Sequence, residues 1–350
     1  MKIEVYSPTI RRKEMDAVLT AMVEDKIGPG DQAKFLIQTA KEKIQFDYCI
    51  SLRSPVFALS LALKSLNLEP GQGVILSALS PLYYEKVLED LSLVPMYCDV
   101  MPSTCSIGRE NIEKTLNTKA PDLDVRCILI HNTLGYISDI LSFSDLGIPI
   151  IEDCSQSFGT MMAEEGERPG AGVFNILGLE EKDMLTSGGG ALLYSHQRRD
   201  GMVLRGHGEL APEYGLPDMN AAMAVVQFRE SNKNKLRRGE IASLYTQAAL
   251  RTKHKRFIQM DAGGKTVEYN NYAFPLILEK GVKDVKTYAR RKDIIIESAF
   301  ENTIMGSGKI PQANCPEAYS ISLRTVLFPL YPRLTTNDAG KIAKLIQTLP

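Results

Sequence analysis

The 350-residue chain has almost no net charge, no closely paired cysteines and no apolar run of membrane-spanning length. Each absence excludes something. With 41 Lys and Arg against 42 Asp and Glu, the formal charge is −1, which gives no electrostatic reason to expect nucleic acid or an anionic membrane as partner. The six cysteines, Cys49, Cys98, Cys105, Cys127, Cys154 and Cys315, form no C-x-x-C pair, and several sit in apolar runs. They read as buried free thiols of a reducing cytoplasm, not as disulfides or a metal site, so no metal is expected. The opening stretch MKIEVYSPTIRRKEMDAV lacks the apolar core of a signal peptide, which makes a cytoplasmic protein the expectation. Neither an internal repeat nor a low-complexity tract interrupts the chain.

What is present is ordinary for a globular protein: 44% hydrophobic and 24% charged residues. The length suits a large domain, 1–235, and a smaller one, 236–350, with the basic cluster KNKLRRGE at 233–240 marking the passage between them. That cluster reads as a solvated helix face. Helical periodicity at 11–24 ends at Gly28-Pro29-Gly30, and a second amphipathic helix follows over 31–43. Strands at 48–52, 73–76, 94–99, 126–131 and 149–151 then alternate with helices at 56–66 and 81–91. This rhythm predicts an α/β fold, a mostly parallel central sheet flanked by helices, followed by a smaller α+β carboxy-terminal domain. Further elements are expected at 191–195 (strand), 218–229 (helix), 269–278 and 325–328 (strands), and 337–346 (helix, with Thr335 or Thr336 as N-cap).

The stretch 148–193 concentrates the chemistry. A short apolar run ends on Glu152 and Asp153, a polar turn holds Ser155, Gln156 and Ser157, and Lys182 precedes the triplet Gly188-Gly189-Gly190. Taken singly, the Asp is a helix cap or turn residue, the Lys a solvated surface group, and the glycines a turn. Taken in order, they place an acid at the carboxyl end of a strand, where open α/β sheets bind ligands, with an amide and an amine following. That order suggests a Schiff-base lysine with a carboxylate partner for a pyridinium nitrogen.

Over nearly its whole length the sequence resembles the DegT/StrS-type sugar aminotransferases, pyridoxal-phosphate (PLP) enzymes of the aspartate-aminotransferase fold. Glu152-Asp153-Cys154-Ser155-Gln156-Ser157-Phe158-Gly159 is similar to the family's EDAAQAxG, and Ala171 to Ala191 fits ADVxxFSFHPxKxxTTGEGGA without a gap. Arg205-Gly206-His207-Gly208 and the segment from Cys315 to Thr335 resemble further family motifs. The resemblance implies that Lys182 is the Schiff-base lysine and proton shuttle, Asp153 the partner of the ring nitrogen, and Gln156 the contact beside the ring hydroxyl. It also implies PLP as cofactor, a nucleotide-linked keto-sugar as substrate, glutamate as amino donor, and a homodimer with its active sites at the subunit interface.

The phosphate positions depart from the family. Its S-G-T-A loop corresponds to Ser54-Pro55-Val56-Phe57, the serine before the lysine to Leu177, its N-Y-R to Glu213-Tyr214-Gly215, and the usual stacking aromatic to Pro81. Pro55 has no N–H and Val56 no hydroxyl, and each donor lost to a phosphate dianion costs on the order of 1.5–3 kcal/mol. The cofactor-binding set is thus Asp153, Gln156, Ser54, Val56 and Ser187, with Ser51, Arg53 and Thr186 as replacement donors. An eroded phosphate site keeps a second reading open, a non-catalytic homologue with a binding or scaffold role in which Lys182 and Asp153 form a structural ion pair.

Overall fold

The computed structural model describes residues 2–118, 120–162, 170–207, 210–258 and 267–350. Helices α1 (Arg12–Val23) and α2 (Asp31–Ile44) lead into β1 (Tyr48–Leu52), α3 (Pro55–Ser65), β2 (Gly73–Ser77), α4 (Tyr83–Asp90), β3 (Val94–Cys98), α5 (Arg109–Asn117), β4 (Val125–His131) and β5 (Ile150–Asp153). Next come β6 (Met161–Met162), β7 (Phe174–Gly178), β8 (Ala191–Ser195), α6 (Arg198–Arg205) and the long α7 (Asp218–Ala249). The remainder holds β9 (Val267–Glu268), β10 (Phe274–Ile277), α8 (Val282–Arg290), β11 (Glu297–Ser298), α9 (Pro316–Arg324), β12 (Thr325–Phe328) and α10 (Thr336–Gln347).

Seven strands form the central sheet in the order β1-β8-β7-β5-β4-β2-β3. Strands β3, β2, β4, β5 and β7 pair in parallel, while β8 runs antiparallel to both β7 and β1. Strands β2, β5, β7 and β8 are buried along their whole length, as expected where helices cover both faces of a parallel sheet. The parallel sheet aligns the carboxyl ends of β2, β4, β5 and β7 along one edge. A second sheet, β10-β12-β11, packs its buried Phe274, Val326 and Phe328 against α8 and α10.

Helix α7 is longer than its apolar periodicity indicates. It runs unbroken through the basic cluster, so the expected division at 235/236 falls inside it. Ala221, Val225 and Phe228 join the core of α2 and β7, whereas Ile241, Ala242 and Tyr245 join that of the second sheet. The cluster is also not wholly a solvated face: Arg238 is buried and donates to the carbonyls of Tyr272 and Leu330 at 2.9 and 2.8 Å. The single strand expected at 269–278 is two, β9 and β10, separated by Asn270 and a left-handed Asn271. Helices α5, α6, α8 and α9 carry no signal read above. Thr335 does cap α10, accepting from the Asp338 N–H at 3.1 Å. All six cysteines are buried and free.

Candidate active site

Four strand ends converge on Asp153. It closes β5, is 1% exposed, and its carboxylate accepts from four donors. The Ser155 N–H (2.9 Å) and Ser155 hydroxyl reach Oδ1, and the Tyr84 and Tyr83 phenols reach Oδ2 at 2.6 and 3.2 Å. Both tyrosines start α4, just past the carboxyl end of β2. Burial and the neighbouring carboxylate hold both phenols well above their usual range, so they stay protonated and donate. The Tyr84 ring also meets the edge of His131, the last residue of β4, whose imidazole burial pushes toward the neutral form. Glu152, by contrast, faces the other way. It ties Asn132 and the N–H groups of Gly170 and Ala171 at 2.7–2.9 Å, a structural staple.

Gln156 pins the turn after β4. Its Oε1 accepts from the Leu134 N–H at 2.6 Å, holding Leu134 in a left-handed conformation, φ 56°. Next to it, Gly135 has φ 85°, and a Cβ there would lie 2.8 Å from Asn270 Oδ1, so only glycine fits. Asn270 in turn donates to the carbonyls of Gln156 and Phe158 at 2.7 and 3.0 Å. Two residues on, the Tyr272 phenol donates to the Lys182 carbonyl at 2.8 Å. The segment 270–272 therefore fastens the polar turn after β5 to the turn after β7.

Lys182 sits on that second turn with its side chain 53% exposed. Its Nζ lies 3.8 Å from Glu297 and 5.1 Å from the centre of the Tyr6 ring. The ion pair with Asp153 contemplated above is not formed; the acid beside Lys182 is Glu297. Asp183, next to Lys182 in sequence, does not join it on the open surface. Its carboxylate turns under the turn, accepts from the Glu180 N–H at 2.8 Å, and lies against Gly178 next to Ser155. Burial pushes Asp183 up to about 8, with the Asp153 charge adding to the shift.

The phosphate-side residues are placed otherwise. The Ser54 hydroxyl caps α3, accepting from the Phe57 N–H at 3.4 Å, and Pro55 occupies the first helical position. Val56 and Phe57 are exposed, and the Phe57 ring stacks edge-on against Tyr214, centroids 5.0 Å apart. Ser187 is buried, its hydroxyl donating to the Gly189 carbonyl at 2.8 Å, and Thr186 accepts from the Gly188 N–H at 3.3 Å. Leu177 lies fully in the core. Of the R-x-H-G segment, His207 Nε2 pairs with the Ser65 hydroxyl at 2.7 Å, and Gly208 lies outside the described residues.

The donor set fits the ring of PLP in kind: a buried carboxylate at a strand end, the Gln156 amide on the turn that follows, and a lysine on the adjoining turn. On the phosphate side the fit is confined to backbone N–H groups at the start of α3 and the Ser54 hydroxyl. Sequence reasoning missed Tyr83, Tyr84, Asp183 and Asn270. The available signal was the Tyr-Tyr pair at a strand-to-helix junction on the ligand edge, together with an acid directly after the lysine.

The family model described as the DegT/DnrJ/EryC1/StrS aminotransferase family matches residues 8–347. Among curated proteins, the L-glutamine:2-deoxy-scyllo-inosose aminotransferase of Streptomyces lividus is 27% identical over 194 residues, 51% of this chain and 44% of that protein. Its Streptomyces paromomycinus counterpart is 25% identical over 211 residues, 55% and 49% of the two chains. The match thus spans less than half the length of either relative. Among solved structures, the aminotransferase TlmJ from Streptoalloteichus hindustanus superposes with a TM-score of 0.87 at 18% identity, covering 99% of this chain and 98% of the other. Spr1654 from Streptococcus pneumoniae, solved in its PLP form, gives 0.87 at 17% identity, with coverage of 99% and 98%. These likenesses establish the fold. By the match over 8–347, the chain belongs to the DegT/DnrJ/EryC1/StrS aminotransferase family.

Proposed function

We propose that this family member is a PLP-dependent aminotransferase that places an amino group on a nucleotide-linked keto-sugar, with glutamate as donor. The observation that carries the reading is the delivery of Asp153, Gln156 and Lys182 by the ends of β5 and β7 to one edge of the sheet. The curated relatives, named L-glutamine:2-deoxy-scyllo-inosose aminotransferases, support amino transfer, carry no nucleotide in their names, and make glutamine the donor to compare with glutamate.

In this reading each residue has a physical task. Asp153 fixes its carboxylate at a buried point, where it favours protonation of a ring nitrogen. Gln156 presents its Nε2 amide, since Oε1 is held by the Leu134 N–H. Lys182 Nζ takes up and returns the proton moved between carbons, which requires it to leave Glu297. At 3.8 Å and half-exposed, that pair is worth at most about 1 kcal/mol. When bound, PLP supplies the electron sink. The phosphate would be met by the Val56 N–H and Ser54 at the helix start. A homodimer and a cytoplasmic location belong to the same proposal.

The direct test supplies nitrogen-labelled glutamate or glutamine and a panel of nucleotide-linked keto-sugars, with mass detection of the aminated sugar. Labelled product from the wild type and none from Lys182→Ala is expected. No product under any combination, from folded protein given PLP, would sink it. A second reading, a homologue that binds without catalysis, is favoured by one specific feature: every acceptor position of Asp153 is already filled from within the chain.

A further inference from the structure

A carboxylate offers about four acceptor positions. Asp153 uses four, on Ser155 N–H, Ser155 hydroxyl, Tyr84 and Tyr83. A fifth donor, such as a protonated heteroaromatic nitrogen, has no vacant lone pair to meet and must displace one of these. The four are not equally firm. The Ser155 N–H is backbone, and the Ser155 hydroxyl is also held by the Gly178 N–H at 2.7 Å. Tyr84 is fully buried, makes the 2.6 Å bond, and packs against Tyr83 and His131. Tyr83 makes the longest contact, 3.2 Å, and is the less buried of the pair. It is the first residue of α4, so its side chain stands at the open end of the helix, not within it.

We propose that Tyr83 is a latch: its phenol stands in for the ring N–H on Asp153, and its withdrawal sets how readily this chain takes a pyridine-ring ligand. The inference rests on the PLP reading above for the identity of that ligand. It is a property of this chain's own side chains, because the occupant is a tyrosine hydroxyl and not a solvent molecule. A ligand entering the site exchanges one donor to a charged acceptor for another, so the displaced bond is subtracted from its affinity.

The test titrates full-length wild type, Tyr83→Phe and Tyr83→Ala with PLP, traps the adduct with borohydride, and quantifies pyridoxyl-Lys182 by peptide mass. A parallel series uses the carbocyclic analogue of PLP, with C–H in place of the ring nitrogen. Melting curves without cofactor check folding, and Tyr83→Phe, which keeps the ring, serves if Tyr83→Ala does not fold. The latch predicts that half-labelling shifts to roughly ten-fold lower PLP in Tyr83→Phe, the worth of one hydrogen bond to a charged group, with no shift for the carbocyclic analogue. Equal half-labelling of wild type and Tyr83→Phe overturns the latch and leaves the cofactor reading standing. An equal gain with both ligands overturns it too, since the gain is then space and not a freed lone pair. No labelling of any folded form overturns both.

Discussion

The two ends of the proposed cofactor site differ in how their polar groups are used. At the end of β5, Asp153 is 1% exposed and saturated, and Gln156 and Asn270 cross-brace the adjoining turns. At the end of β1, the α3 start exposes Val56 (40%) and Phe57 (37%), and its one hydroxyl, Ser54, serves the helix itself. Buried polar groups must be paired, so the acceptors at the β5 end are filled whether or not a ligand is present. The β1 end carries no such constraint, and apolar side chains stand there at little cost. In the proposed reading the first end meets the ring through side chains, and the second meets the phosphate with little beyond the helix start.

The largest test of this contrast is Asp153→Ala. Removing the acceptor strands buried phenol and hydroxyl donors, and urea unfolding should show a loss of roughly 3 kcal/mol or more; a loss below about 1 would mean the β5 end is not the braced side. At the other end, Val56→Thr adds a hydroxyl at an exposed helix start. It should leave stability within about 0.5 kcal/mol while lowering the PLP concentration for half-labelling several-fold, as read by trapping on Lys182. A tighter complex from Val56→Thr with no gain from Tyr83→Phe would move the obstacle wholly to the phosphate side.

A pH series sharpens the same comparison. Asp183 is raised to about 8 in the folded chain, above its unfolded value of 3.8, so the native state holds the proton more firmly. Its contribution to stability is present in full below pH 3.8 and declines as pH rises toward 8. Melting temperature should therefore fall from pH 4 to 8 more steeply in wild type than in Asp183→Asn, and parallel curves would remove Asp183 from the buried network. The smallest effect belongs to Glu297→Gln. Losing an exposed partner at 3.8 Å from Lys182 should change unfolding free energy by under about 0.5 kcal/mol.

Most of the sheet was legible because its strands are apolar runs bounded by turn residues; β1, β8 and β12 fall at the expected residues. Asp153, Gln156 and Lys182 were singled out by order and spacing, and the roles proposed for them came from the family resemblance. What those side chains touch was not legible. Tyr83 lies 70 residues from Asp153 in sequence, and only the parallel pairing of β2, β4 and β5 brings the α4 start to it. The inward turn of Asp183 depends on Gly178, whose missing side chain leaves room for the carboxylate. The continuity of α7 was hidden because its apolar face changes partner midway, from the α2 core to the second sheet.

The central claim is that the ends of β5 and β7 together make a working cofactor site. Borohydride reduction of the PLP-treated protein, followed by peptide mapping, tests it most directly. The account predicts a visible absorbance band that reduction abolishes, with the pyridoxyl mass confined to the peptide holding Lys182. A folded protein that shows no band and no label on Lys182 at saturating PLP, in wild type and Tyr83→Phe alike, would contradict it.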